Sequence, residues 1–244
     1  MTKRAGITSG RRRRPLALLV ASLSLVALTA AGAPPANGSR VAVQRTQELA
    51  ALLSSHRFRA APSAKSQLLG EVPAITPITH GRTVLPVLAH HGGWLMVRLP
   101  GRPNSHIGWI TRVATLQWFT DWHLVVDRAR REVIVYRSGR LVRVFKAVVG
   151  KPSTPTPPGE FFVEESIALR SSDVGAPFAL ALSARSQVLQ EFAGGPGQIA
   201  LHGLDNVGGV PGTAASHGCI RLADAVMRWL VVRIGPGTPV SVVH

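Results

Sequence analysis

Four short runs between His123 and Glu165 restrict the chain to β-structure. They are HLVVD (123–127), EVIVY (132–136), LVRVFKAVVG (141–150) and EFFVEE (160–165). Each is strand-length and rich in Val, Ile or Phe, the side chains that suit a pleated, half-buried surface. The second and third are joined by RSGR (137–140), which reads as a tight hairpin turn. No helical run separates them, so an alternating βαβ plan is excluded. One stretch has helical spacing. In ADAVMRWLVVRI (223–234), with Leu222 before it, Leu222, Val226, Trp229 and Leu230 form a stripe with Arg233 at its margin, and Gly235–Pro236 stops it. TPVSVV (238–243) reads as a last strand. The expected fold class is all-β, with one or two short helices.

The stretch 51–113 is written in the same way but more tightly punctuated. VLPVLA (84–89), WLMVRL (94–99) and IGWI (107–110) read as strands, with turns at HHGG (90–93) and PGRPNSH (100–106). A small β-barrel is expected. It resembles bacterial SH3-like domains through Arg57, Arg59, Pro62 and Ser63, Gly70, GGWLMVRLP (92–100) and GWI (108–110). Trp94 and Trp109 are expected in its core. His90 and His91 are read as turn surface, because no third ligand accompanies them. Residues 34–50 are read as a linker, with a short helix possible at Thr46–Leu53.

The first 33 residues read as an export signal or an uncleaved signal anchor. Lys3, Arg4 and Arg11–Arg14 precede an apolar stretch from Leu16 to about Ala31, and small residues and prolines follow. Localisation in the cell envelope is therefore expected, with membrane contact only through an uncleaved signal. Setting the leader's six basic residues aside leaves 22 basic against 12 acidic, a net charge of +10. In that compartment such a charge suits anionic wall polymers, not nucleic acid.

The chain has one cysteine, Cys219, in SHGCIRL (216–222). A lone cysteine excludes an internal disulfide and a thiolate-rich zinc site. HExxH is also absent, so neither a metal nor a cofactor is expected. With a pKa of about 8.5 a thiol is only a few per cent ionised at neutral pH. It needs a neighbouring imidazole or N–H groups that favour the anion. His217 lies two residues before it, and Gly218 and Cys219 could pair their N–H groups as an oxyanion hole. A helix N-terminus soon afterwards would also favour thiolate. Upstream, His202 and Gly203 follow the strand-like QIAL, and a Gly-rich loop leads back to His217. That loop could fold His202 against Cys219. Either histidine could then act as the base, with a backbone carbonyl to orient it.

HG(202–203) followed by SHGCIRL resembles the signature of L,D-transpeptidases with a YkuD-type catalytic domain. VVGKPSTPTPPGEFFV (148–163) and the hairpins around VIVYRSGRLVR (133–143) extend the resemblance over the whole of residues 122–244. It implies a β-sandwich-type catalytic domain and a stated division of roles. Cys219 would attack the third residue of a peptidoglycan stem tetrapeptide and expel D-alanine. The thioester would pass to a second stem's amine, giving a 3→3 cross-link. His202 would be the base, oriented by Gly203; His217, Gly218 and Cys219 would hold the oxyanion; Arg221 and Ser216 would bind substrate. A substrate-facing lid is expected between Glu164 and Gln198. Water or a protein amine as acceptor would make the enzyme an L,D-carboxypeptidase or a protein-anchoring transpeptidase. A wall-binding protein without catalysis is the remaining alternative.

Overall fold

A computed structural model describes residues 42–191 and 195–244. The leader read at residues 1–33 lies outside them.

The chain first builds a seven-stranded antiparallel sheet. Its strands are β1 (Gln47–Leu52), β2 (His56–Arg59), β3 (Leu68–Val72), β4 (Val84–His91), β5 (Trp94–Arg98), β6 (Ile107–Thr111) and β7 (Thr115–Thr120), in the spatial order β3-β2-β6-β5-β4-β1-β7. Ala50, Leu52, Leu85, Val87, Leu95, Val97 and Ile110 fill its core. Strand alternation decides the fate of the tryptophans expected there. Leu95, Val97 and Ile110 take the inward positions, so Trp94 and Trp109 stand on the other face, half-buried.

The possible helix at Thr46–Leu53 is instead β1. It pairs with β4 through Leu49↔Pro86 and with β7 through Leu49↔Trp118, so both its edges are hydrogen-bonded. Ala50 and Leu52 enter one apolar cluster, and Leu49 and Ala51 another. A strand buried on both sides loses its period of two and looks helical in sequence. The linker read as reaching residue 50 therefore stops short of Gln47.

The second half builds an eight-stranded sheet. In chain order its parts are β8 (Trp122–Asp127), β9 (Glu132–Arg137), β10 (Arg140–Lys146), the short β11 (Val149–Gly150), β12 (Gly159–Ala168), β13 (Phe178–Arg185), β14 (Gln198–His202), β15 (Ala214–Ser216), β16 (Ile220–Arg221), helix α1 (Asp224–Val231) and β17 (Pro239–Val243). The sheet runs β10-β9-β8-β17-β12-β13-β14-β16, while β11 and β15 form a separate parallel pair. The turn at RSGR has Ser138 and Gly139 both at positive φ, 50° and 74°, with Arg137 paired to Arg140. That is the geometry a right-twisted hairpin requires. Helix α1 buries Met227 and Leu230 in the core of this sheet, beside Leu180, Leu182, Leu201 and Ile220.

Strand β12 serves two cores. Phe161 packs with the second sheet's cluster and its neighbour Phe162 with the first sheet's, each only 1% exposed. Successive side chains point to opposite faces of a strand, so one strand ties both layers together. Replacing Phe162 with Ala should cost about 3–5 kcal/mol. Urea unfolding followed by fluorescence and by far-UV circular dichroism should show one transition moved to lower denaturant.

Candidate active site

The site forms where β14 and β16 run side by side. They pair in parallel through Leu201↔Ile220 and His202↔Arg221. Ile199, Leu201 and Ile220 are buried in the core, while Gln198, Ala200, His202, Cys219 and Arg221 are only half-buried. Alternation thus puts the imidazole, the thiol and the guanidinium on one face. Carrying the register back two residues sets Cys219 level with Ala200. Strand spacing and rise then put the α-carbons of His202 and Cys219 about 8 Å apart, a diagonal that long side chains can span. His202, His217, Cys219 and Arg221 all line one cavity of about 330 Å³, with Val174, Ser186, Leu189, Gln198 and Val207 among its other walls. Part of the lid region expected between Glu164 and Gln198 is therefore cavity wall; much of the rest is the paired strands β12 and β13.

His202 is held in one tautomer. Its Nδ1 lies 2.8 Å from the carbonyl of Gly203. A carbonyl only accepts, so Nδ1 carries the proton and Nε2 keeps a lone pair. Gly203 has no room for a side chain: a Cβ there would lie 1.8 Å from the carbonyl oxygen of Ala176. The N–H of the next residue, Leu204, donates to the Asp224 carboxylate at 2.8 Å, which fastens this turn to the start of α1. Burial lowers the pKa of His202, with the nearby Arg221 charge adding to the effect against the Gly203 hydrogen bond.

The thiol does not behave as its flanking sequence suggests. Burial pushes the Cys219 pKa up, and the opposing influences of the Ala200 backbone and the Arg221 charge are smaller. The expected activation by a helix end is not what governs it. Strand β16 separates Cys219 from α1, and Asp224 places a negative charge in the first turn. Sγ makes a long contact of 4.0 Å to the carbonyl of Gln198. Both surroundings favour the neutral form, thiol for Cys219 and imidazole for His202.

Two expected roles are corrected by the hydrogen bonding. Ser216 was expected to bind substrate, but it is 0% exposed. Its hydroxyl donates to the Cys219 carbonyl at 2.5 Å and accepts the Gly218 N–H at 3.1 Å. It is a strut inside the loop that carries Cys219. That second bond also occupies the Gly218 N–H, which was expected in an oxyanion hole. The Gly218 carbonyl is likewise engaged, accepting from Thr156 Oγ1 at 2.8 Å. What Gly218 provides is conformation, a φ of +120° that side-chain-bearing residues avoid.

Two threonines not singled out by their sequence hold this loop. Thr154 Oγ1 donates to the Ser216 carbonyl at 3.2 Å and Thr156 Oγ1 to that of Gly218, while the Gly150 N–H donates to Thr156 Oγ1 at 3.0 Å. The signal was present in TPTP. Two hydroxyls spaced two apart on an extended chain point the same way.

Arg221 is divided between two tasks. Its Nη1 donates to the Gly208 carbonyl at 3.2 Å, holding the Gly-rich loop. Its Nε is buried with no hydrogen-bond partner among the described residues. His217 is exposed at the cavity rim. Among the described residues no three His, Cys, Asp or Glu side chains gather as metal ligands, and no helix is long and apolar enough to cross a membrane.

The L,D-transpeptidase catalytic-domain profile, YkuD, matches residues 121–242. The chain belongs to the L,D-transpeptidase family. L,D-transpeptidase 1 of Mycobacterium tuberculosis is 31% identical over 121 residues, covering 45% of each chain, so the match spans less than half of that relative's length. Among solved structures, an Enterococcus faecium L,D-transpeptidase is 26% identical with a TM-score of 0.36, covering 50% of this chain and 49% of that one. An L,D-transpeptidase from Mycobacterium smegmatis is 18% identical with a TM-score of 0.41, covering 78% of this chain and 99% of that one.

If Ser216 is a strut, its loss strands buried backbone groups. Ser216→Ala should lower stability by about 1–3 kcal/mol in urea titration. Any loss of activity should appear mainly in kcat, whereas a substrate contact would raise KM alone.

Proposed function

We propose that this L,D-transpeptidase family member joins peptidoglycan stems through a thioester on Cys219, giving 3→3 cross-links. The observation that carries the reading is the shared face of β14 and β16. It puts a half-buried thiol and an imidazole with a free Nε2 lone pair in the same cavity.

The shifts of both groups toward their neutral forms support general-base chemistry rather than a preformed ion pair. His202 Nε2 takes the thiol proton as Sγ attacks the carbonyl carbon of the stem's third residue. The developing oxyanion is met by the Cys219 N–H and by His217. The C–N bond to the terminal D-alanine breaks, and the imidazolium returns the proton to the leaving amine. In the second half His202 takes a proton from the acceptor amine as it attacks the thioester, and the thiol is restored. Arg221 lines the same cavity as Cys219, which supports its role in binding the substrate.

In this reading the N-terminal sheet is an SH3-like wall-binding module. The basic-then-apolar leader supports an envelope location, and the cationic surface suits anionic wall polymers. Water as acceptor would make the enzyme an L,D-carboxypeptidase.

Muropeptide analysis after incubation with tetrapeptide-stem dimers or monomers should show 3→3 dimers and released D-alanine. Cys219→Ala should remove both. Tripeptides without dimers would instead establish the carboxypeptidase, and retained function in Cys219→Ala would leave only a binding role.

The pH dependence follows from the two shifts. The basic form of His202 persists below the ordinary histidine value of 6.5, because its pKa is lowered. Acylation should therefore stay level from neutral pH down to about 6.5 and fall only below that. Stopped-flow acylation across pH should show this acid limb.

A further inference from the structure

Resting on the reading of Cys219 as the acylated residue, we propose that the β5–β6 loop of the N-terminal sheet, through Arg102 and Asn104, is a positioning element of the catalytic cleft. The loop reaches across to the C-terminal end of β13 and the excursion that follows it.

Asn104 imitates a strand partner. Its Nδ2 donates to the Arg185 carbonyl at 2.8 Å and its Oδ1 accepts the Arg185 N–H at 2.9 Å. The Gly101 N–H donates to the Ser183 carbonyl at 3.1 Å. Arg102 then grips what lies beyond. Its Nη2 donates to the carbonyls of Ser186 at 2.8 Å and Leu189 at 3.4 Å, and its Nη1 to that of Pro196 at 3.0 Å. One planar guanidinium thus joins the outgoing and the returning arm of the excursion. The two arms also meet directly, the Ser186 N–H donating to the Gly197 carbonyl at 2.7 Å.

These arms form a wall of the cleft. Ser186, Leu189, Gly197 and Gln198 line the cavity that contains Cys219, and the Gln198 carbonyl is the group 4.0 Å from Sγ. The same wall is tied below by a buried network. Glu164 Oε2 accepts from Arg185 Nη1 and Nη2, each at 3.2 Å, and from Gln198 Nε2 at 2.8 Å. Asn104 fixes the backbone of Arg185, and Arg185 and Gln198 share one carboxylate. A shift of the N-terminal loop is therefore transmitted to the residue whose carbonyl touches the sulfur. The N-terminal sheet shapes the cleft as well as standing beside it.

The test uses the full chain and two readouts with opposite expected signs. Arg102→Ala should lower kcat/KM on a tetrapeptide stem by about 10- to 100-fold, the range for a small misplacement caused from outside the reacting groups. Because release of the wall uncovers the thiol, alkylation of Cys219 by iodoacetamide should become several-fold faster. Arg102→Lys, which keeps the charge but cannot span both arms, should behave like the Ala variant. A purely structural contact would lower the melting temperature and leave both rates of the folded protein alone. Both rates within twofold of the parent in folded Arg102→Ala, or full rescue by Lys, would overturn the proposal. If Arg102→Ala does not fold, Asn104→Ala gives the same pair of readouts from the other anchor. A parent enzyme with no turnover of stem peptides would defeat the functional reading, and the alkylation arm would still decide the brace.

Discussion

Two backbone pairs, Leu201 with Ile220 and His202 with Arg221, set everything else in the site. A parallel pairing of short strands is a weak feature by itself, yet a slip of one residue would turn Cys219 into the core and bring Ile220 to the surface. The surrounding chain is arranged to prevent that slip. Val148 exchanges backbone hydrogen bonds with Arg221, the Leu222 N–H donates to the His202 carbonyl, and the threonines of the TPTP segment hold the carbonyls of Ser216 and Gly218. The register is over-determined from several sides, as a site that needs one geometry requires.

That geometry has an electrostatic consequence. Both titrating groups are shifted toward their neutral forms, the thiol by burial and the imidazole by burial together with Arg221. Arg221 favours the thiolate and disfavours the imidazolium, so its two effects on a charged pair oppose each other. A neutral thiol is a poorer target for oxidants than a thiolate, and a poor nucleophile until a base removes its proton. In the proposed reaction, attack waits for the substrate carbonyl to arrive where proton removal and bond formation can occur together.

What could be read from sequence was what is local. SHGC and HG name the thiol and the imidazole because the motif carries them whole, and the hairpin at RSGR follows from two turn residues. The all-β class followed from runs of Val, Ile and Phe. The differences share one cause: sequence shows which groups are present and not what engages or covers them, whether the partner is local, as for Ser216 with Gly218 and Cys219, or distant. Ser216 and Gly218 read as substrate and oxyanion groups because a string says which groups are present and not which are already engaged. Thr154 and Thr156 meet partners sixty-two residues away. Strand β1 looked helical because both its faces are covered, and covering is a tertiary fact.

The two sheets cannot be treated as separate parts, for the same reason. Phe161 and Phe162 commit neighbouring side chains of β12 to different cores, so the catalytic sheet is complete only with the first sheet against it. The β5–β6 loop repeats this relation at the cleft, where Asn104 extends the backbone pairing of β13 and Arg102 joins the two arms beyond it. An N-terminal module joined only by a linker would have left the carbonyls of Ser186, Leu189 and Pro196 to solvent and the cleft wall to its own short-range bonds. Joined in this way, the module's position becomes part of the cleft's shape, and a ligand that moved the module would also move the wall beside the sulfur.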